Sequence, residues 1–131
     1  MEWTPLVLEA LMEQHGEISE LMSKYIDSNF ENAAYAKGSL ETLRAHMHFE
    51  EEELFPYLDG LGHGGEVSIM LSEHSKIREA MKIIDGYLVD HSVPNFHLDS
   101  LFHFLSMIER HHELEEMIIY RRLAVHKGAF M

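Results

Sequence analysis

Helix breakers in this chain are so few, and so placed, that little regular structure other than four long helices is open to it. Proline occurs three times, at Pro5, Pro56 and Pro94, and four of the eight glycines cluster as Gly60, Gly62, Gly64 and Gly65. Between these breaks apolar residues recur with a helical period, and few β-branched runs compete. Thr4 before Pro5 reads as an N-cap followed by proline at the first helical position. Leu8, Leu11, Met12, Ile18, Met22 and Ile26 then predict a first helix over about 5 to 28. Asn32 caps a second helix carrying Leu40, Leu43, Met47, Leu54 and Leu58, with Pro56 interrupting its last turn and Gly60 ending it. The segment GLGHGG reads as a loop. A third helix follows with Val67, Met70, Leu71, Ile77, Met81, Ile84 and Leu88, and ends near Asp90 and His91. Pro94 and Asn95 start a fourth, with Leu98, Leu101, Leu105, Ile108, Ile118, Ile119 and Leu123, ending near Gly128. Short connections between long rods predict one all-α domain over 1–131, an up-down-up-down four-helix bundle.

The chain's 11 histidines are several times a usual share, and some stand where a core residue belongs. His15 is in register with Leu8, Leu11, Met22 and Ile26, and His74 lies on the line of Val67, Leu71, Ile77 and Met81. A buried ring needs a polar partner. The second and fourth helices each place a histidine and a glutamate one turn apart, His46 with Glu50 and His111 with Glu115. Phase selects these pairs. His46 and Glu50 share a face with Leu43, Leu54 and Leu58, whereas His48 and Glu52 lie with Glu41, Arg44 and Asp59 and point outward. His111 and Glu115 align with Phe104, Ile108, Ile118 and Ile119, whereas His112 aligns with Glu109 and Glu116. The inward set is therefore His15, His46, Glu50, His74, His111 and Glu115, with Glu116 the alternative to Glu115. Antiparallel packing at about 1.5 Å per residue brings His15 level with His46, and His74 with His111, near mid-bundle.

The pattern is also an internal repeat, one histidine followed by a helix bearing His-x-x-x-Glu-Glu, first as His15 with HMHFEEEELFPYL, then as His74 with HHELEEMIIYRRL. Imidazole and carboxylate without sulfur suit iron, manganese or zinc, and two facing carboxylates are what bridging two cations requires. Cysteine is absent, which excludes thiolate sites, cysteine-ligated clusters and disulfides. His63, His91, His97, His103 and His126 carry no role, Glu51 and Glu52 read as a solvated face, and the methionines read as core filler. A formal charge of −13 repels phosphate backbones and anionic lipid, so neither nucleic acid nor a membrane is an expected partner. The start lacks a basic leader and no apolar run approaches the roughly 18 residues of a membrane span, which makes a cytoplasmic protein the expectation. Monomer and homodimer both stay open.

With its HMHFEEEELFP segment and its two His-x-x-x-Glu pairs, the chain resembles the hemerythrin-like family, the HHE cation-binding domain, from His15 to Glu115. The resemblance implies a four-helix bundle holding two non-haem iron ions, bridged by Glu50, Glu115 and a solvent-derived oxo or hydroxo group. The chain differs from the oxygen carriers, which have a second histidine where Arg78 stands and an aspartate five residues after the last histidine. Its four histidines and two glutamates are more similar to the di-iron proteins that repair iron centres. Five donors per iron leave an open position on each, and the ligand expected there is dioxygen, NO or peroxide, for sensing, storage or stress protection. Reduction of NO or peroxide linked to iron–sulfur cluster repair is the enzymatic alternative, and metal holding without a redox ligand is another. Arg78 is expected either to donate to a bound anion or to pair with Glu79 or Asp85 at the surface.

Overall fold

The computed structural model of the chain describes residues 5–89 and 98–121, and every regular element there is helical. Helix α1 spans Pro5–Asp27. Helix α2 runs as Ala33–Phe49, widens into a π-helical segment at Glu50–Leu54 and continues as Phe55–Gly60. Helix α3 spans Gly64–Val89, and α4 runs as Leu98–Leu114 before a second π-helical segment, Glu115–Tyr120. Helix α1 packs against α2 and α4, and α3 packs against the same two, the cyclic arrangement of an up-down-up-down bundle. Among the described residues no helix is long and apolar enough to cross a membrane.

Local chemistry sets the ends of these rods. Asn32 caps α2 as its residue type suggests, its side chain accepting from the Ala34 amide at 3.3 Å. The α1–α2 connection turns through Asn29 and Phe30 at φ 58° and 62°, and the Phe30 ring is held edge-on against Tyr25 at 5.6 Å. The α2–α3 connection is shorter than GLGHGG suggested. Gly62 takes φ 94°, open to glycine without strain, the His63 amide bonds the Leu58 carbonyl at 3.0 Å, and α3 has begun by Gly64. The expected signals at Thr4, Asp90, His91, Pro94, Asn95, Leu123 and Gly128 lie outside the described residues, as do His97 and His126.

Three expectations need correction. Pro56 does not end α2: it falls in the first turn after the π segment, and the helix continues through it to Gly60. The widening is not proline's doing, since α4 has the same feature at Glu115–Tyr120 without one. Met12 and Leu71, read as stripe residues, are each 42% exposed and flank the core.

The interior divides into two apolar clusters. One joins Ile18, Met22, Leu40, Leu43, Met47, Ile77, Met81, Phe104 and Ile108; the other joins Leu8, Leu11, Leu54, Phe55, Leu58, Val67, Met70 and Ile119. Most of the methionines read as filler, Met22, Met47, Met70 and Met81, are indeed core residues. A polar layer separates the two clusters, and all four helices contribute to it.

Candidate metal centre

Six side chains form that layer: His15 from α1, His46 and Glu50 from α2, His74 from α3, and His111 and Glu115 from α4, each no more than 4% exposed. These are the six that the sequence places inward. His48 and Glu52 are exposed, as their phase requires. Both π segments begin on the inward glutamate, so each helix keeps α spacing from histidine to glutamate and changes pitch just after.

Each histidine is gripped at Nδ1 and turned so that Nε2 faces the interior. His15 Nδ1 donates to Glu116 at 2.8 Å and His74 Nδ1 to Glu51 at 2.7 Å, each reaching a glutamate of the other hairpin. His46 Nδ1 donates to Gln14 at 2.7 Å and His111 Nδ1 to Glu73 at 2.6 Å, each within its own hairpin. The sequence repeat is thus a pseudo-twofold arrangement in space. An acceptor at Nδ1 fixes the tautomer and leaves the Nε2 lone pair for the centre.

The two carboxylates divide their oxygens between the two halves. Glu115 sends Oε1 toward His15 (2.9 Å) and His46 (3.4 Å), and Oε2 toward His111 (3.2 Å) and His74 (3.7 Å). Glu50 sends Oε2 toward His46 and Oε1 toward His74, both at 3.4 Å. On the His74 side, Glu50 Oε1, Glu115 Oε2, His74 Nε2 and His111 Nε2 are all buried without a hydrogen-bond partner. On the other side His15 Nε2 lies 2.9 Å from His46 Nε2. With Nδ1 already donating on both rings, those facing nitrogens need a proton or a cation between them.

The charges of this layer are strongly coupled. Burial opposes a charge on His46, yet hydrogen bonds to Glu115 and Glu50 carry it up to about 9; His74, likewise against burial, is carried up to about 10 by the same carboxylates. His111 is raised too, burial being outweighed by the nearby Glu115 carboxylate. Burial, then the charge of Glu115, pushes Glu50 up, whereas Glu115, despite its burial, is held well below the usual range by the neighbouring Glu50, His111, His15 and His46. Without a metal, protons on His46, His74 and His111 balance the buried carboxylates. Groups of these side chains offer ligand atoms within 4.8 Å of one another, His15, His46, Glu50 and Glu115 on one side and His74, His111 and Glu115 on the other. Unpartnered, desolvated nitrogen and oxygen atoms fit a cation, and such a donor set suits iron, manganese or zinc.

The structure revises the reading of four residues. Glu51 is not on a solvated face: it accepts from His74 and takes both guanidinium nitrogens of Arg78 at 2.7 Å. Arg78 therefore holds the acceptor of His74, rather than pairing with Glu79 or Asp85 or meeting an anion; this contact, after burial has opposed it, keeps Glu51 below the usual carboxylate range. Glu116 stays at the layer's edge on His15, so Glu115 alone enters from α4. His112, read as outward, is 4% exposed and lies flat on His15, ring centroids 3.8 Å apart at 6°. Burial and then the neighbouring His15 hold its pKa down to about 2, so it stays neutral.

Sequence reasoning missed Tyr120 altogether. Its hydroxyl lies 2.8 Å from Glu50 Oε2 and 3.0 Å from Glu115 Oε1, donating at the junction of the two carboxylates. Burial, then the charges of Glu115 and Glu50, raises its pKa well above the ordinary phenol, so it keeps its proton. Beside the layer, between α3 and α4, a cleft of about 260 Å³ is lined by Glu73, Lys76, Ile77, Met107, Arg110 and His111.

Comparison with known sequences gives one match: the model of the hemerythrin HHE cation binding domain covers residues 6–95, about two thirds of the chain. It spans His15, His46, Glu50 and His74 and ends before His111. No curated protein and no solved structure gives a significant match.

Proposed function

The chain belongs to the hemerythrin HHE cation-binding domain family, and on that premise we propose that it holds two non-haem iron ions and binds dioxygen or a related small oxidant at them. His15, His46, Glu50 Oε2 and Glu115 Oε1 would hold one ion; His74, His111, Glu50 Oε1 and Glu115 Oε2 would hold the other. The observation that carries this reading is the division of each carboxylate between the halves, since a single cation would need one oxygen of each and leave the rest buried and unused. Iron, when bound, supplies a Lewis acid and one-electron chemistry for a diatomic or peroxide ligand.

The chain's own groups prepare that chemistry. The four Nδ1 acceptors orient the imidazoles and raise their basicity. Tyr120 presents a retained proton to the carboxylates, a hydrogen bond rather than an acid. The cleft beside His111 gives a diatomic or peroxide ligand a way in, with Lys76 and Arg110 favouring anions at its walls. Apolar clusters above and below the layer limit water there and favour binding over turnover. The role this supports is sensing, storage or protection under oxidant stress.

The test is optical. Protein loaded with Fe(II) under anaerobic conditions and then exposed to air is expected to develop an absorption band that vanishes under vacuum and returns with air. Immediate irreversible oxidation would instead mark an enzyme reducing its oxidant, and no response at all would mark metal holding alone; either result contradicts the binding reading.

A further inference from the structure

Around the polar layer the two hairpins correspond position for position: His15 with His74, Ile18 with Ile77, His46 with His111, Glu50 with Glu115 and, five after each glutamate, Phe55 with Tyr120. Just outside the layer the correspondence breaks in charge. Two after the single histidine stands Glu17 in the first hairpin and Lys76 in the second; one before the paired histidine stands Ala45 in the first and Arg110 in the second. Both cations belong to the wall of the cleft between α3 and α4. The first hairpin supplies its share of the layer without them, so the layer does not account for them.

Ion pairing does not account for them either. The chain has 23 acidic residues against 10 basic ones, yet among the described residues neither Lys76 nor Arg110 forms a hydrogen bond or an ion pair. Each has a glutamate three residues further along its own helix, Glu79 and Glu113, and Glu79 takes Lys82 instead, at 3.4 Å. The cleft's own carboxylate, Glu73, is engaged with His111 Nδ1 at 2.6 Å. Ile77, 1% exposed, and the partly buried Met107 supply the apolar part of the wall. The cleft's 260 Å³ is several times what a diatomic or a peroxide fills, a water's share of liquid being about 30 Å³. Two unpaired cations beside an apolar wall suit a carboxylate on an apolar body. A guanidinium fork takes both oxygens of a carboxylate, an ammonium adds a point charge, and small-molecule sites set a few such groups in an apolar lining.

We propose that the α3–α4 cleft binds a small organic acid, its carboxylate held by Lys76 and Arg110 and its apolar body lying on Ile77 and Met107. The site is built from the chain alone and does not rest on the two-cation reading, although Glu73 and His111 join it to that layer. The net charge of −13 works against any anion at long range. At about 0.1 M salt that field is screened beyond about 10 Å, which leaves the two nearby cations to decide.

Benzoate is the probe, with benzyl alcohol as its uncharged counterpart and sulfate as an anion without an apolar body. Isothermal titration of the protein as purified, at about 0.1 M salt, is expected to show benzoate bound at least about tenfold more tightly than either. Lys76→Met and Arg110→Met are each expected to weaken benzoate about tenfold, the loss of one charge-assisted hydrogen bond, and the double variant to bind it no better than benzyl alcohol. Lys37→Met removes the same charge from an exposed position on α2 and is expected to leave benzoate binding within about twofold. Benzoate and benzyl alcohol bound alike, or sulfate bound as tightly as benzoate, would overturn the proposal. So would benzoate binding that survives the double variant, which is the result if the acid sits on a metal instead. No benzoate bound at about 10 mM would overturn it as well.

Discussion

Tyr120 donates its hydroxyl to Glu50 at 2.8 Å, across the bundle from α4 to α2, where the equivalent Phe55 has nothing to donate. It is a neutral donor to charged groups that otherwise balance one another. Tyr120→Phe copies the other hairpin and keeps the ring's volume. The variant is expected to lower the stability of the metal-free protein by about 1.5–3 kcal/mol, the range for a buried hydrogen bond to a charged group. Urea denaturation of both proteins in the presence of a chelator measures this.

Because Glu115 serves both halves while His111 serves one, their variants should differ in kind. Glu115→Gln keeps the shape but loses the charge, and is expected to abolish tight binding at both positions. His111→Ala is expected to lose one metal and keep the other. Metal per folded chain, by elemental analysis after gel filtration, separates the two outcomes; equal losses would contradict the division of the carboxylate.

Glu51 joins Arg78 to His74, all within hydrogen-bond distance. Glu51→Gln removes the charge that keeps the His74 ring basic, and is expected to weaken metal binding on that side by about 10–100-fold. Arg78→Leu is expected to act in the same direction but less, because the side chain is 41% exposed and its ion pair is screened. A competition titration against a coloured chelator reads both.

The pH dependence follows from the same layer. In the metal-free chain, the nearby carboxylates of Glu115 and Glu50 overcome burial and hold His46 at about 9 and His74 at about 10, above the ordinary imidazole value of about 6.5. Their contribution to stability is therefore complete below about pH 6.5 and is lost as pH rises through about 9 to 10. Glu115, held low, acts in the opposite sense, its contribution being lost in acid. The urea midpoint of the metal-free protein is expected to fall between neutral pH and pH 10. Metal loading expels the imidazole protons, so it should acidify a weakly buffered neutral solution and tighten as pH rises.

How much of this was legible depended on how far the α-helical period held. His15 and His74 stood in register with leucines and isoleucines, and His46 with Glu50 and His111 with Glu115 are α-spaced pairs, so periodicity alone separated Glu50 from Glu52. Tyr120 was not legible, because the π segment after Glu115 adds a residue to the turn and swings position 120 back toward the centre. His112 was misread for a different reason. Helix α4 lies against both α1 and α3, so its buried arc is wide enough to turn two successive histidines inward, one toward each neighbour. The partners Gln14, Glu51, Glu73 and Glu116 lie on the edges of their helices, where sequence spacing does not distinguish a solvated side chain from one folded back onto a histidine.

The central claim, that six side chains from four helices converge to hold two cations, is tested most directly by anomalous diffraction at the iron edge from crystals of Fe(II)-loaded protein. Two peaks are expected within the polar layer, one beside His15 and His46 and one beside His74 and His111, with Glu50 and Glu115 touching both. A single peak, or density confined to the surface, would contradict it.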